Sequence, residues 1–423
     1  MRRISIIFML AALGAGSGSA QDIPFLWGYR WPAGARSSAM GGAGTAVKDG
    51  RNAFIYNAAA LGAVKTTQVY ATFSRSSLAN STTVYGDAAK ETAVQTELTS
   101  IGIAVPLPTS RGSLVFGIGY QKMRGYNRSL YGEVFDDSPG DSVTYSYTEI
   151  EEGGLGKTAL TGAVEVAPNV FVGGSLNFWS GSNDLTGQAS MLDTPFDIWT
   201  FSDSTAIINI NTRLTGVNVT FSGLTHISPG IALGASIHSP LTLRCNEEWM
   251  YDEYIDWDDG IRTYDSTATG TYEYRVASPW KFRLGGSVSV GPLLLAADLE
   301  LNDYSGIEFK NDPPAGGTKA EANVDISRSL ANTIDYGFGG ELTVPGTKLK
   351  LRAGYAVQKS PYKESDFYKD RTMLTLGAGF RINESLLMDV SYMSTSWSMP
   401  VDVTVSREDV DAGRFNIGFS YDI

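Results

Sequence analysis

The last ten residues of the chain alternate. Phe415, Ile417, Phe419, Tyr421 and Ile423 make one row; Arg414, Asn416, Gly418, Ser420 and Asp422 make the other. Successive side chains of a strand point to opposite faces, so this segment is a strand with one apolar and one polar face. The same period returns through the chain. Leu349, Leu351, Ala353, Tyr355 and Val357 alternate with Lys348, Lys350, Arg352 and Gly354. Leu293, Leu295, Ala297, Leu299 and Leu301 alternate with Asp298, Glu300 and Asn302. Comparable rows run through Leu114–Tyr120, Val170–Phe178, Ile334–Leu342 and Leu386–Tyr392. Each lasts about ten residues, the length of a tilted membrane-spanning strand. A soluble β-sandwich is the alternative, but its two sheets must bury their apolar faces on each other. Here charged faces recur on most strands without a second apolar set to pack against. No later segment has eighteen consecutive apolar residues, so a helical membrane span is not expected. The fold class expected is all-β, a transmembrane antiparallel barrel.

Candidate strands fall near 66–75, 95–105, 112–123, 157–166, 169–179, 207–222, 230–239, 268–277, 280–290, 293–303, 331–344, 348–358, 371–381, 385–397 and 412–423. That is fifteen. A barrel in hydrocarbon must close, and bacterial barrels have an even strand number. About fourteen strands are expected, with one candidate false or one strand missed. Short turns hold Val290-Gly291-Pro292, Pro345-Gly346-Thr347 and Ile382-Asn383-Glu384, all turn sequences. Long polar connections are read at 130–156, 181–205, 244–268, 303–331 and 359–370. Short turns on one side and long loops on the other suit an outer-membrane barrel. Tyr120, Trp179, Trp280, Tyr355 and Trp397 lie near strand ends, as interfacial aromatics do.

The N-terminus supports export. Met1-Arg2-Arg3 precedes an apolar run from Ile4 to Ala15, and Gly18-Ser19-Ala20 before Gln21 fits a signal-peptidase site. The organisation expected is a signal peptide at 1–20, an N-terminal plug at 21–62 and a barrel at 63–423, in the outer membrane of a Gram-negative bacterium. Net charge is −12, and loss of Arg2 and Arg3 makes it more negative. Nucleic acid is excluded as a partner, because phosphate binding needs clustered Lys and Arg. Cys245 is the single cysteine and His226 and His238 the only histidines. No internal disulfide can form, and no catalytic or metal site is expected. Cys245 reads as a strand-end or loop-base thiol. The acidic and aromatic run from Glu247 to Asp259 lacks calcium-loop spacing. It reads as a solvated loop, with contact to a hydrophobic ligand at the mouth as the alternative.

Two N-terminal stretches do not alternate. Met40 to Leu61 contains Gly41, Gly42 and Gly44 and runs to Tyr56-Asn57-Ala58-Ala59-Ala60-Leu61. Small residues let backbone pack closely, as in a plug lying within a shell. Upstream, Phe25, Trp27, Tyr29 and Trp31 place four aromatics within seven residues. Such a cluster is ill suited to water. Its alternatives are the lining of an apolar pocket or an anchor for the plug.

These pieces resemble the FadL-type outer-membrane transporters of long-chain fatty acids and other hydrophobic compounds. The first is Ala35-Arg36-Ser37-Ser38-Ala39-Met40-Gly41-Gly42-Ala43-Gly44-Thr45-Ala46, closed by Tyr56–Leu61. It looks like the family's hatch, although Ala58 stands where the family usually has Pro. The second runs from Pro279-Trp280-Lys281-Phe282-Arg283 through Ala297-Asp298-Leu299 to Asp303-Tyr304-Ser305. The third runs from Leu351-Arg352-Ala353-Gly354-Tyr355 through Leu374–Arg381 to Leu387–Tyr392. The chain ends in Ile423, where barrels usually end in an aromatic residue.

The resemblance implies passive uptake of a hydrophobic small molecule or fatty acid by a monomer in contact with outer-membrane lipid, without cofactor or enzyme activity. It implies a ligand site that includes the N-terminal segment, here Phe25, Trp27, Tyr29 and Trp31. Gly41, Gly42, Gly44 and Asn57 are then hatch residues. A sideways exit through the third strand falls near Gly117, Gly119 and Gly125. The alternatives are a barrel that scaffolds a secretion or surface-attachment complex, and a general porin.

Overall fold

A computed structural model describes residues 23–26, 28–84, 87–136, 143–193, 201–314, 316–363, 369–402 and 406–423. The proposed leader and Trp27 lie outside the described residues. The strands are β1 (Gln68–Val84), β2 (Asp87–Leu107), β3 (Leu114–Gly125), β4 (Arg128–Asp136), β5 (Val143–Ala167), β6 (Val170–Asp193), β7 (Phe201–Ser228), β8 (Ile231–His238) and β9 (Thr242–Trp257). They continue as β10 (Arg262–Ala277), β11 (Lys281–Val290), β12 (Leu293–Asp303), β13 (Glu308–Phe309), β14 (Asn332–Thr343), β15 (Leu349–Gln358), β16 (Arg371–Arg381), β17 (Leu386–Asp402) and β18 (Ser406–Asp422). β18 pairs antiparallel with β1 from Gln68↔Asp422 upward, which closes the sheet.

Eighteen segments make fourteen staves. β3 and β4 both pair with β5 and form one broken stave. β8 and β9 both pair with β7, and β10 and β11 follow them on the other side. Each of these pairs is again one stave. β13 is a two-residue addition to the edge of β10. The fifteen sequence candidates exceed fourteen because 268–277 and 280–290 are two halves of a single stave.

The faces sort as the period requires. Leu295, Leu299 and Leu301 of β12 are exposed while Asp298, Glu300 and Asn302 are buried. On β18 Phe415, Phe419 and Tyr421 are exposed while Arg414, Asn416 and Ser420 are buried. An apolar exterior on nearly every stave suits lipid, since no water-soluble monomer carries such a surface. Two of the five expected interfacial aromatics differ. Trp179 donates Nε1–H to Asn218 Oδ1 at 2.9 Å and packs on a buried cluster. Trp397 stacks against Tyr29 and packs with a buried cluster containing Tyr29 and Trp31. Both therefore serve the lumen.

Three of the expected long loops are strand. Positions 130–156, 181–205 and 244–268 carry much of β4 to β7, β9 and β10, which rise far past the apolar band. There the apolar residues do not form a sustained alternating row. The acidic run Glu247–Asp259 lies mostly in β9 and pairs with β7 and β10. Cys245 is buried within β9, in the cluster around Tyr274, rather than at a strand end. Among its described residues the excursion at 303–331 holds a 3-10 turn at Tyr304–Gly306 and a helix, α3 (Lys319–Ser329), started by a Thr318–Glu321 capping box.

Candidate functional site

Inside the barrel lies the N-terminal segment, with two short helices, α1 (Ala35–Ala39) and α2 (Gly50–Ala53), and a 3-10 turn at Ala58–Ala63. Its backbone lies almost directly on the wall, because the facing wall residues are glycines. A Cβ on Gly339 would sit 2.3 Å from Met40 O, on Gly354 2.2 Å from Gly41 N, and on Gly234 2.2 Å from Thr45 O. Gly41 itself has φ +62°, and a Cβ there would meet Phe338 O and Tyr355 O at 2.7 Å. Close approach from both sides explains glycine on both partners.

Asp298 fixes the middle of this segment. Its carboxylate accepts from Gly44 N (3.0 Å), Thr45 N (3.0 Å) and Thr45 Oγ1 (2.6 Å). Asn57 donates Nδ2–H to Thr45 O (2.7 Å) and Gly223 O (3.0 Å) and caps the following turn through Ala59 N. Six charges then close a ring. Arg36 joins Asp49 (2.9 Å) and Glu341 (2.8 Å), and Arg352 joins Glu341 and Asp389 (2.7 Å each). Arg51 joins Asp49 (2.7 Å) and also Asp389. The segment supplies Arg36, Asp49 and Arg51; the wall supplies Glu341, Arg352 and Asp389. Each charge has at least two opposite neighbours, Lys350 being a third for Glu341, which is what buried ions need. Burial alone raises the Asp49 carboxyl, but the Arg51 and Arg36 guanidiniums outweigh it and hold it well below the usual carboxylate range.

Above the segment is a cavity of about 210 Å³. Phe25, Leu155, Trp179, Leu241 and Ile307 give it an apolar side, and Ile55 and Tyr56 of the segment border it as well. Arg30, Lys281 and Arg283 line it too, and Asp298, Glu300 and Asp335 match them: Arg30 bonds Glu300 and Asp335, Lys281 reaches Glu300 at 3.1 Å, and Arg283 bonds Glu300. Lys157 differs. It is 3 % exposed, and among the described residues no carboxylate pairs with it. Its Nζ lies 5.9 Å from the Trp179 ring centroid. An ionisable group at membrane depth without a carboxylate partner is a candidate functional position. From the sequence Lys157 is one inward polar residue among many; only the three-dimensional charge matching sets it apart.

The three described aromatics, Phe25, Tyr29 and Trp31, do not share one site. Phe25 and Trp31 line the cavity. Tyr29 instead meets Trp31 edge to face at 5.3 Å, and Tyr29, Trp31 and Trp397 surround the Arg371 guanidinium at 5.4, 4.6 and 4.6 Å. Such a cage is a cation–π contact, and Arg371 Nη1 also donates to Arg30 O at 2.7 Å. Gly41 and Gly42 border the cavity, whereas Gly44 and Asn57 secure the segment to the wall.

The broken third stave adjoins this cavity through Met123 and Arg124. β2 pairs with β3 only from Leu107↔Leu114 to Ser100↔Gln121. Beyond that, β3 bulges between Lys122 and Arg124, and β4 bends inward toward β1 and β2. Ser129 O of β4 there accepts from Asn80 of β1 (2.6 Å), and Arg128 reaches Glu408 of β18 (2.9 Å). Gly125 sits at the break and exchanges backbone hydrogen bonds with Tyr29 (3.0 and 3.1 Å). Gly117 and Gly119 lie lower, in the fully paired part of β3, where their missing side chains make room for Phe54 and Tyr70. His238 borders the cavity with Nδ1 2.9 Å from Thr220 Oγ1, and His226 stands edge-on to Phe171.

A lipid-facing closed barrel, filled by its own N-terminal segment beneath a lumenal cavity, defines an outer-membrane channel. The chain belongs to the outer membrane protein transport protein family (OMPP1/FadL/TodX), whose pattern matches residues 32–420. The family consists of outer-membrane transport channels, not enzymes. In fold the chain is similar to a Pseudomonas aeruginosa FadL homologue, with a TM-score of 0.64 and 16 % identity over 93 % of this chain and 99 % of that one. It is also similar to the P. putida toluene transporter TodX, with a TM-score of 0.63 and 14 % identity over 93 % and 99 %. The Ralstonia pickettii toluene transporter TbuX gives 0.57 and 14 % over the same shares. No curated protein matches the chain in sequence.

Proposed function

We propose that the protein takes up hydrophobic molecules passively and that its preferred ligands are amphiphiles with an anionic head, such as long-chain fatty acids. The carrying observation is Lys157, a buried lysine with no carboxylate partner among the described residues, beside the apolar side of the cavity. The head group pairs with Lys157 and the chain lies against Phe25, Leu155 and Leu241. Burial of the chain supplies the driving force, at about 25 cal/mol per Å² of apolar surface, and the gradient sets the direction. Residues 21–62 act as the hatch: Gly41, Gly42, Gly44 and Asn57 seat it, and the six-charge ring latches it. Phe25 and Trp31 are the ligand-contacting aromatics of the segment, and Tyr29 joins it to Gly125 at the break in the third stave. That break serves as a side exit. Residues 1–20 direct export. The neutral aromatic cargo named for the toluene transporters is the competing ligand class, and Lys157 argues for an anion.

Uptake of labelled long-chain fatty acid tests this reading, in Gram-negative cells that lack their own transporter. Expression of the protein should speed uptake, and Lys157→Met should remove most of the gain for the acid but not for toluene. Equal rates with and without the protein in the outer membrane would overturn it. A large ohmic conductance would point to a general porin, and a stoichiometric protein partner without bound lipid would point to a scaffold.

A further inference from the structure

Two Ser-Pro steps interrupt neighbouring staves: Ser239-Pro240 between β8 and β9, and Ser278-Pro279 between β10 and β11. The register runs from His238↔Lys281 on one side to Thr242↔Ala277 on the other, which sets Pro240 opposite Pro279. Proline has no N–H to donate and is confined in sheets to edges, strand starts and bulges. Two facing prolines within a closed wall therefore leave a gap in the ladder.

The backbone groups around the gap find other partners. Leu241 N donates to Ser278 Oγ (3.1 Å) and Ser278 N to Leu241 O (2.9 Å). Asn218 Nδ2 donates to Ser239 O (3.0 Å), and Ser239 Oγ accepts from Val219 N (3.1 Å). A notch whose polar edges are already satisfied is stable in hydrocarbon, where an unpaired group is costly. The wall also changes neighbours here. Below the notch β11 pairs with β12, and above it β10 pairs with β13.

The cavity reaches the notch: Ser239, Leu241, Ser278, Pro279 and Trp280 all border it. Trp280 has the parity of the lipid-facing Phe282 and Leu284 and is 49 % exposed. The notch thus touches both the cavity and the outer end of the apolar band. We propose that it is a second side portal, four staves from the broken third stave, through which the apolar chain of a ligand passes between the cavity and the outer leaflet. This rests on the transport reading above.

The test uses the full chain with Cys245→Ser and the pair Pro240→Cys/Pro279→Cys. Directly opposed residues on antiparallel neighbours lie about 4.5–5.5 Å apart at Cα, within disulfide reach. In cells, uptake of labelled long-chain fatty acid should slow several-fold when the pair is oxidised and recover on reduction. Equilibrium binding of the same acid to the purified protein should not change. A second variant, Pro240→Val/Pro279→Val, returns the ladder donors and should slow uptake without any cross-link. Uptake equal to wild type in a fully cross-linked pair, or in the valine variant at equal outer-membrane level, would overturn the portal and leave the transport reading standing. No uptake by the wild-type protein would remove both.

Discussion

Leu351 and Arg352 are neighbours in β15 that meet opposite solvents. Leu351 is 46 % exposed on the lipid side and Arg352 is 4 % exposed in the lumen. Leu351→Arg puts a cation into the bilayer, at a cost of roughly 2–4 kcal/mol near the midplane. Its folding yield in lipid vesicles should fall. Arg352→Leu should insert normally, because the lipid face is untouched. It removes the link between Glu341 and Asp389, so the N-terminal segment should loosen and the channel should leak in planar bilayers. Equal yields and equal leak for the two variants would mean the faces are misassigned. The same ring sets a pH response. Asp49 has its pKa depressed on folding, so its contribution is complete above the unfolded value near about 4 and is lost as pH falls below it. The channel should stay closed from neutral pH down to about 4 and begin to leak only at lower pH. A leak that appears between about pH 5 and 7 would contradict the assignment of the latch to a carboxylate held low.

At the scale of elements, period and parity carried the apolar staves and failed beyond them. β12, β14 to β16 and β18 were legible because lipid outside and water inside impose strict alternation. The upper parts of β4 to β7, β9 and β10 read as loops because no sustained apolar row runs through them. The fifteenth candidate arose because Pro279 splits a stave that the register nonetheless continues. The N-terminal segment was legible as a closely packing stretch through its glycines. The wall glycines that receive it were not, since Gly339 and Gly354 fall in ordinary strand positions and only their contacts with Met40 and Gly41 explain them. The match of Lys157 against Arg30, Lys281 and Arg283 joins staves far apart in sequence, and no local pattern reports it. Gly339→Val tests this packing. Its side chain would strike Met40 O, so the barrel should still form while the segment is displaced and small-solute leak rises. A tight channel would show that the segment can shift without opening the lumen.

At the scale of the molecule, closure between β1 and β18 makes the barrel independent of what fills it, because its ladder runs between its own strands. The purified protein should therefore migrate faster on gels before boiling than after. A soluble periplasmic protein without heat-modifiable migration would contradict the barrel. On the proposed reading the filling makes the barrel selective: the segment closes the lumen, the cavity lies above it, and Lys157 receives the anionic head of the ligand there. Native mass spectrometry of the protein in mild detergent with a long-chain fatty acid tests that claim most directly. The account predicts one bound acid per chain, with weakened binding in Lys157→Met and in Phe25→Ala/Trp31→Ala, and with heat-modifiable migration retained in each. No bound acid in the wild type, or equal binding in all three proteins, would contradict it.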